Sequence, residues 1–345
     1  MPIAGTGIVP AQGGVYNQLN ATTRRAFIPA VVVQIYQAYP TLALLMRNAQ
    51  KAAGGLSQIT VPAQSQSFVT PAFMGYDGNF PQPSEVQAIQ DFEFNLCMLG
   101  TPVGFLGAEA LIQQTEAVIP LLKAKMADIK TATASLMANI LFNGDNTSNA
   151  LLPFSLKQIY DDGTSYDSYG GLSRAANPWA KAQVVNVGAA PTRQNMIKYQ
   201  VQCSAASPAG ATNTAGGEMP DFQVMSPNDW TTLMADFMTI EQFNTNPTSR
   251  YGKDNVVNAG FRGIMLGDTP IFSDVFCPVG VSYMINSRYL AMYMSEYAQF
   301  TFSGFQNAIA NLQLAYIGIM LALYQIVCTK PVSGMKLTGI TGKAF

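Results

Sequence analysis

Aspartates are the residues of this sequence that come nearest to forming a chemical site. Asp145, Asp161, Asp162 and Asp167 fall in a stretch rich in turn-forming residues, and carboxylate oxygens are preferred ligands of calcium. A calcium loop, however, repeats acidic or amide side chains at alternate positions and closes with a glutamate, and this spacing is absent. Calcium binding is the alternative, but we predict that these aspartates form ordinary turns and hold no metal.

The sequence offers few residues for nucleophilic or redox catalysis. The chain has no histidine, which excludes Ser-His-Asp and Cys-His mechanisms and histidine metal sites. Phosphate-binding and nucleophile motifs are missing from any strand–turn–helix context. Four cysteines are far apart and form no CxxC pair, so we predict buried free thiols: Cys97, Cys203, Cys277 and Cys328. We therefore assign no catalytic, cofactor-binding or metal-binding residue, and we predict neither an enzyme nor a cofactor.

The composition points to a protein that works in contact with other chains. Charged residues make up 11% of the 345 positions, against roughly 25% in an average soluble protein. A soluble monomer needs charge on its surface, so we expect much of this surface to be buried against other subunits. A membrane protein or a fibre-forming protein could also have such a composition. The net charge of −1 gives no argument for binding nucleic acid through bulk basicity.

Targeting and membrane signals are weak. The amino-terminal sequence has no basic region followed by an apolar core, so we predict no signal peptide. Residues 309–328 are long enough to span a membrane, but Asn311, Gln313 and Gln325 interrupt them, and we interpret them as buried strands. Arg24 and Arg25 could touch phosphate or an acidic neighbour, although a solvated or salt-bridged pair is favoured.

The longest helical pattern covers residues 107–143 and would span roughly 50 Å. Pro120 predicts a kink or a restart inside it, and Asn143-Gly144-Asp145 predicts its end. Steps of three and four place the apolar positions on one predicted face: Leu111, Val118, Leu122, Met126, Ile129, Thr133, Leu136 and Ile140. We expect this helix to be the spine on which sheets are laid.

Residues 56–99 are predicted to form a long two-stranded excursion with a Gly- and Pro-rich tip. Strand patterns occur at 57–61, 67–73 and 91–99, and no Lys or Arg occurs from 52 through 122. An isolated hairpin is only marginally stable in water. We therefore expect the excursion to have little contact with its own core, to lie on another subunit, and to tolerate deletion of 75–83 without loss of subunit folding.

Shorter elements flank these two. Residues 1–23 are expected to form an extended arm, followed by short helices near 31–39 and 41–49, where Thr41 could cap the second. After Pro191, Ser226, Pro227 and Asp229 predict the start of a helix that runs to about residue 238. The remaining predictions are a helix at 195–203 and strands at 221–225, 261–266, 269–272, 281–286, 312–316, 320–329 and 335–340.

This order of parts resembles the major capsid proteins of tailed double-stranded DNA phages, the Hong Kong 97-like fold. Three segments carry the resemblance: Ile140-Leu-Phe-Asn-Gly-Asp-Asn-Thr, Val224-Met-Ser-Pro-Asn-Asp-Trp230, and Gly263-Ile-Met-Leu-Gly-Asp-Thr-Pro-Ile-Phe-Ser-Asp274. It implies an α+β fold with an N-terminal arm (1–50), an E-loop (51–100), a P-domain with the spine helix (101–190), an A-domain (191–304) and returning P-domain strands (305–345).

The function implied by the resemblance is mechanical. Such a protein assembles as hexamers and pentamers into the icosahedral capsid of a virion that encloses phage double-stranded DNA. The implied partners are further copies of the chain, portal, scaffolding and decoration proteins, and DNA held by weak contacts that do not read its sequence; no membrane is involved.

Two departures from the family qualify this expectation. Some members crosslink through an E-loop lysine, whereas this segment has only Lys51 at its edge, so we predict no covalent crosslinking. The short Gly-rich arm suggests that assembly uses a separate scaffolding protein or none. The alternatives are a surface-layer or other shell-forming protein and, with less support, an oligomeric enzyme.

Overall fold

The computed structural model describes residues 39–52, 57–64, 89–106, 121–205, 218–241, 263–267, 269–303, 306–307 and 315–342. Its helices are α1 (Pro40–Arg47), α2 (Leu121–Asn143), α3 (Leu156–Ile159), α4 (Arg193–Ala205) and α5 (Pro227–Glu241). The first strands are β1 (Gln50–Ala52), β2 (Gln58–Gln64), β3 (Ile89–Asn95), β4 (Cys97–Leu106), β5 (Ser168–Tyr169), β6 (Leu172–Ser173), β7 (Gln183–Asn186) and β8 (Phe222–Met225). The remaining strands are β9 (Gly263–Leu266), β10 (Thr269–Ser273), β11 (Ser282–Ile285), β12 (Leu290–Ser295), β13 (Thr301–Phe302), β14 (Gln306–Asn307), β15 (Ala315–Cys328) and β16 (Met335–Thr338).

The chain divides into two compact units. The small unit comprises Met1–Tyr36, Leu99–Ser135 and Phe300–Ala322, and the large unit comprises Gln37–Met98, Leu136–Gln299 and Leu323–Phe345. Three elements, α2, β4 and β15, contribute residues to both units.

In the small unit, a sheet packs on the first part of α2. The first half of β15 pairs antiparallel with β13 and β14, and β4 also pairs with β15. The Thr101 and Thr133 hydroxyls share a hydrogen bond of 3.0 Å between β4 and α2. Lys125 of α2 also donates to the Gly104 carbonyl at 3.3 Å. One face of this sheet is therefore covered by the helix.

The core of the large unit is a mixed six-stranded sheet in the order β7-β16-β11-β8-β10-β9. Every residue of β8 and of β11 is buried, as expected for strands covered on both faces. Helices α4 and α5 contribute Met196, Tyr199 and Leu233 to the apolar cluster that also contains sheet residues such as Met225 and Met335. In a separate ladder, β12 pairs in parallel with β1 and antiparallel with the end of β15.

The predicted start of α5 is confirmed in detail. The Ser226 hydroxyl accepts a hydrogen bond from the Asp229 amide at 3.2 Å and donates to the Asp229 carboxylate at 2.7 Å. Pro227 is the first residue of the helix, where the missing amide hydrogen has no consequence. The helix continues three residues beyond the predicted end, to Glu241.

The predicted spine helix is confirmed over Leu121–Asn143, and its proposed first part, 107–120, lies outside the described residues. It ends at the predicted turn, where the Gly144 amide donates to the Ile140 carbonyl at 2.8 Å. Its predicted inward face is wrong at Leu136, which is 45% exposed. Thr133 and Ile140 of the same face are buried, as predicted, and Met137 and Leu141 are buried where Leu136 is not, because apolar residues occupy two adjacent stripes near the end of the helix.

The predicted cap at Thr41 is wrong. Helix α1 begins at Pro40, so Thr41 lies inside its first turn, and the position before the helix, Tyr39, makes no side-chain cap. Thr41 is fully buried, and its hydroxyl donates to the Asp274 carboxylate at 2.8 Å. The Thr41 hydroxyl therefore bonds to a residue far away in the sequence instead of to the backbone of its own helix.

The other predicted elements agree with the structure in type where it describes them, with an exception in the hairpin: the single strand predicted at 91–99 is interrupted after Asn95, and Cys97 begins β4. The apolar tail is extended, as expected, but the two strands predicted at 312–316 and 320–329 form one continuous strand, Ala315–Cys328. No helix in the described part of the chain is long and apolar enough to cross a membrane. Several predictions lie outside the described residues: the arm and Arg24-Arg25, the helix near 31–39, the strand at 67–73, the tip at 75–83, and most of the loops at 204–217 and 241–255.

Candidate assembly site

The β2–β3 hairpin has two chemically different faces. Its strands pair antiparallel from Gln58 opposite Asn95 to Gln64 opposite Ile89. Alternation places Asp91 and Glu93 on the exposed face, while Phe92 and Phe94 are fully buried on the other. The hairpin therefore presents acidic and amide groups outward and is held to the large unit by its aromatic face.

The buried face of the hairpin packs on an aromatic cradle, defined as Phe154, Tyr169 and Trp179. The ring centroid of Tyr169 lies 5.5 Å from that of Phe92 and 5.2 Å from that of Phe94, both edge-on. Trp179 lies 5.1 Å from Phe92, and Phe154 lies 5.6 Å from Phe94. The expectation that residues 56–99 have little contact with their own core is therefore wrong at the base of the hairpin; the tip lies outside the described residues.

A tight hairpin, β5–β6, presents this cradle to β2–β3. Gly170 and Gly171 join its strands with φ values of +55° and +77°, the left-handed values that a type I′ turn requires at both central positions. The Gly170 carbonyl accepts a hydrogen bond of 2.9 Å from the Glu93 amide. The β5–β6 hairpin therefore contacts β3 through a backbone hydrogen bond as well as through the Tyr169 ring.

Arg174 fixes the chain that leads to and from this turn. Its side chain is fully buried, lies 3.6 Å from Asp161 and stacks 5.3 Å from the centre of the Tyr169 ring. Its guanidinium donates to four backbone carbonyls: Gln158, Ile159, Tyr166 and Ala180. Burial lowers the pKa of Arg174, while Asp161 and Tyr169 oppose that shift. Sequence reasoning missed this residue, and only the Gly-Gly pair between two short alternating segments could have indicated the turn it supports.

The aspartates that suggested calcium are turn residues, as predicted. Asp161 accepts three backbone hydrogen bonds, from Gly163, Ser165 and Tyr166. Asp145 accepts from the Thr147 and Ser148 amides, and although burial raises its pKa, these bonds and the Ser148 hydroxyl outweigh that effect and lower it. Within the described ranges, no cluster of three acidic or cysteine side chains could hold a metal ion.

The four cysteines are buried and free, as predicted. Burial raises the pKa of Cys97 to about 11 and those of Cys203 and Cys328 to about 12. Burial likewise raises the pKa of Cys277. These thiols are protonated at neutral pH, which makes them poor nucleophiles.

The small unit exposes an uncharged sheet face, which we call the open face: Gly100, Pro102, Gly104, Ile317 and Ile319. It lies opposite the side on which Thr101 meets α2. Both isoleucines are 41% exposed, and the strand segments 99–106, 300–303, 306–307 and 315–322 contain no charged residue. An exposed apolar face without charge is characteristic of a surface that another protein covers.

The large unit also exposes large apolar side chains. Leu151 and Val279 are 78% and 68% exposed, and Ile197 and Val201 lie one turn apart on the outer side of α4. Such residues occur singly on many soluble proteins. Their number here, with so little charge on the chain, fits a subunit with contacts on several sides.

Comparison with solved structures identifies the fold. The chain is similar to the capsid subunit of cyanophage A-1(L), with a TM-score of 0.68 and 14% identity over 92% of this chain and 97% of that one. It is also similar to the capsid of a native GTA particle (TM-score 0.55, 11% identity, 98% and 100% covered). A third similar structure is the SrpI encapsulin of Synechococcus elongatus PCC 7942 (TM-score 0.58, 10% identity, 93% and 95% covered).

The class that these likenesses define is the shell-protein fold of phage capsids. The likeness extends over nearly the whole chain, and the architecture is mixed helix and sheet, so the expected Hong Kong 97-like α+β fold is confirmed. No protein-family model matches the sequence, and no curated protein matches it either.

Proposed function

We propose that this chain is the structural major capsid protein of a tailed phage and forms the icosahedral shell of the virion around double-stranded DNA. The observation that carries the proposal is the whole-chain likeness to the cyanophage A-1(L) capsid subunit. The uncharged open face and the low overall charge support it, because both favour a subunit that is buried among copies of itself.

The proposed division of labour follows the resemblance. Residues 1–50 form the N-terminal arm, 51–100 the E-loop, 101–190 and 305–345 the P-domain, and 191–304 the A-domain. The E-loop would reach over a neighbouring subunit within a hexamer or pentamer. The anchored base of β2–β3 supports this role, since a projecting arm can transmit force only if its base is fixed.

The remaining partners are those of a phage head. Portal, scaffolding and decoration proteins would meet the assembled shell, and DNA would be held through weak contacts that do not depend on its sequence. The proposed role is mechanical and needs no catalytic residue, cofactor or covalent crosslink. We expect the subunits to assemble in the host cytoplasm, and the proposed shell contains no membrane.

A second shell-forming function is favoured by one observation. The encapsulin SrpI is similar to this chain over 93% of its length, so the same fold also builds encapsulin particles. A surface-layer protein or an oligomeric enzyme has less support, since these similar structures are two capsids and an encapsulin complex.

The proposal is tested on the chain expressed alone and on particles from producing cells. Sedimentation and negative-stain microscopy of the purified chain should show closed shells or sheets of hexamers, with or without added scaffold fractions. Particles from producing cells should protect double-stranded DNA from nuclease. Protein cargo in place of DNA would indicate the encapsulin-like alternative, and a stable monomer that no fraction converts into shells would refute a shell function.

The open face offers a matched pair of variants for this test. Ile319→Lys places a charge on the uncharged face, whereas Ile319→Val keeps an apolar, β-branched side chain at the same exposed position. We expect both subunits to fold with unchanged thermal midpoints, and only Ile319→Lys to lose assembly. Equal assembly by both would show that this face is not an interface.

A further inference from the structure

We propose that Gly170 is a positioning residue that sets the direction of the β2–β3 hairpin relative to the β5–β6 turn, within the large unit. The proposal rests on the assembly function in one respect: in a shell, the direction of this arm would influence the angle between neighbouring subunits. The contacts that support this role all lie within the large unit.

Within the described part of the hairpin, burial decreases away from the base. Along β3, Phe94 and Phe92 are fully buried, Gln90 is half-buried and Ile89 is exposed. Along β2, burial likewise falls from Ile59 at the base to Gln64. Because a two-stranded ribbon has little stability of its own, the contacts under the two phenylalanines determine the direction of β2 and β3.

Gly170 lies so close to these phenylalanines that a side chain has no room between them. A Cβ atom on Gly170 would lie 2.8 Å from Cδ1 of Phe92 and 2.9 Å from Cζ of Phe94. The backbone of the turn therefore lies directly against both rings, and its carbonyl holds the Glu93 amide between them. Any side chain at this position must move the hairpin or the turn.

The turn is less movable than the β2–β3 hairpin. The Tyr169 hydroxyl donates to the Cys328 carbonyl at 3.1 Å and accepts from the Cys328 amide at 2.8 Å, which ties the turn to β15. Arg174 stacks on the same Tyr169 ring from within its cage of carbonyls and Asp161. A Cβ atom added at Gly170 should therefore displace the hairpin. Ordinary van der Waals contact begins at 3.4 Å, so the contact of 2.8 Å with Phe92 must lengthen by at least about 0.6 Å.

The turn contains its own control. Gly171 also has a left-handed φ, so an alanine there suffers the same kind of backbone strain. Its added Cβ would meet only the Cβ of Glu93, at an ordinary 3.9 Å. Comparing Gly170→Ala with Gly171→Ala therefore separates displacement of the hairpin from strain in the turn.

The first measurement is hydrogen exchange on the unassembled subunit. In Gly170→Ala, the bond from the Glu93 amide to the Gly170 carbonyl should be lost, and this amide should exchange at least about tenfold faster than in Gly171→Ala, the loss expected for one protecting hydrogen bond. Amides of β8 and β11 should exchange alike in both variants. Equal exchange at Glu93 would overturn the proposal.

The second measurement is the diameter distribution of assembled shells by electron microscopy. Gly171→Ala should give shells of wild-type diameter, while Gly170→Ala should give shells of altered or broadened diameter, or open sheets. A merely structural role would change the yield of folded subunit in both variants but would leave the diameter unchanged. Identical diameters for the two variants would therefore refute the positioning role.

Two further outcomes are kept distinguishable. If the wild-type chain forms no shells even with added scaffold fractions, the proposed function fails, while the exchange comparison still decides the role of Gly170. If Gly170→Ala does not fold, Phe92→Leu replaces the ring that faces Gly170 without altering the turn. Shells of broadened diameter would then support the proposal, and shells of wild-type diameter would overturn it.

Discussion

Arg174 offers the sharpest test of how the large unit is held together. Replacing it with methionine keeps most of the side-chain volume but removes the charge and all of its hydrogen bonds. The buried Asp161 carboxylate then loses its cation at 3.6 Å, and four backbone carbonyls lose their donor. We expect Arg174→Met to destabilise the subunit more than any surface substitution.

The magnitude follows from these contacts. Removing one partner of a buried ion pair costs about 3–5 kcal/mol. Asp161 is not left bare, because three backbone amides still donate to it, so we expect the lower end, about 3 kcal/mol. Asp161→Asn keeps an acceptor for those amides but leaves the guanidinium uncompensated, and we expect a loss of about 1–3 kcal/mol.

The assay is a double-mutant cycle in urea. Trp179 lies in the aromatic cradle, 5.1 Å from Phe92, so its fluorescence reports on this region during unfolding. The double variant removes both charges, and we expect it to be more stable than the sum of the single losses predicts, by about 0.5–3 kcal/mol. The unassembled subunit must be used, since assembly adds to apparent stability.

Two results would refute this reasoning. A loss below about 1 kcal/mol for Arg174→Met would be typical of an exposed pair and would contradict the burial of this one. Strict additivity in the cycle would show that Asp161 and Arg174 stabilise the loop independently, through their backbone bonds alone.

Two further predictions concern buried ionisable groups. Burial raises the pKa of Asp274, so the folded state holds the carboxyl proton more tightly than the unfolded state, and the free energy of unfolding should fall as pH rises from about 4 through that raised pKa. Asp274→Asn should remove this dependence of stability on pH in denaturation experiments at several pH values. An unchanged pH dependence in the variant would contradict the prediction. Burial raises the pKa of the Cys97 thiol from 9.0 to about 11. At pH 8 this thiol should therefore be alkylated at least about a hundredfold more slowly in the native subunit than in urea, with the alkylated fraction measured by mass spectrometry. Equal alkylation rates would contradict the burial of Cys97.

Local sequence signals predicted the elements that depend on neighbours along the chain. The Ser226-Pro227-Asn-Asp229 start of α5 was recognisable because a cap needs only the next three residues. The end of α2 at Asn143 and the strand character of residues 315–328 followed from turn chemistry and from polar interruptions in an apolar run. The Hong Kong 97-like fold was predicted from the order of these parts and is confirmed.

Sequence reasoning failed where a distant partner decides the environment. Thr41 was predicted to cap its own helix, yet its hydroxyl donates to Asp274, which is 233 positions away. Leu136 fits an apolar stripe as well as Met137 does, and only the packing of the rest of the large unit determines which of them is buried. The alternation of Phe92 and Phe94 showed a half-buried strand but not what would bury it.

The sequence by itself determined most of the helices and strands and the poverty of charge that favours assembly. These properties depend on residue type and on spacing over a few positions. The tertiary structure alone decided that Arg174 is caged by carbonyls, that Gly170 lies against two phenylalanine rings and that the hairpin is anchored at its base. The hydrogen bonds of Arg174 reach 6 to 16 positions along the chain, and the contacts of Gly170 with the hairpin join segments much farther apart. Short-range periodicity carries no information about which of these segments will meet.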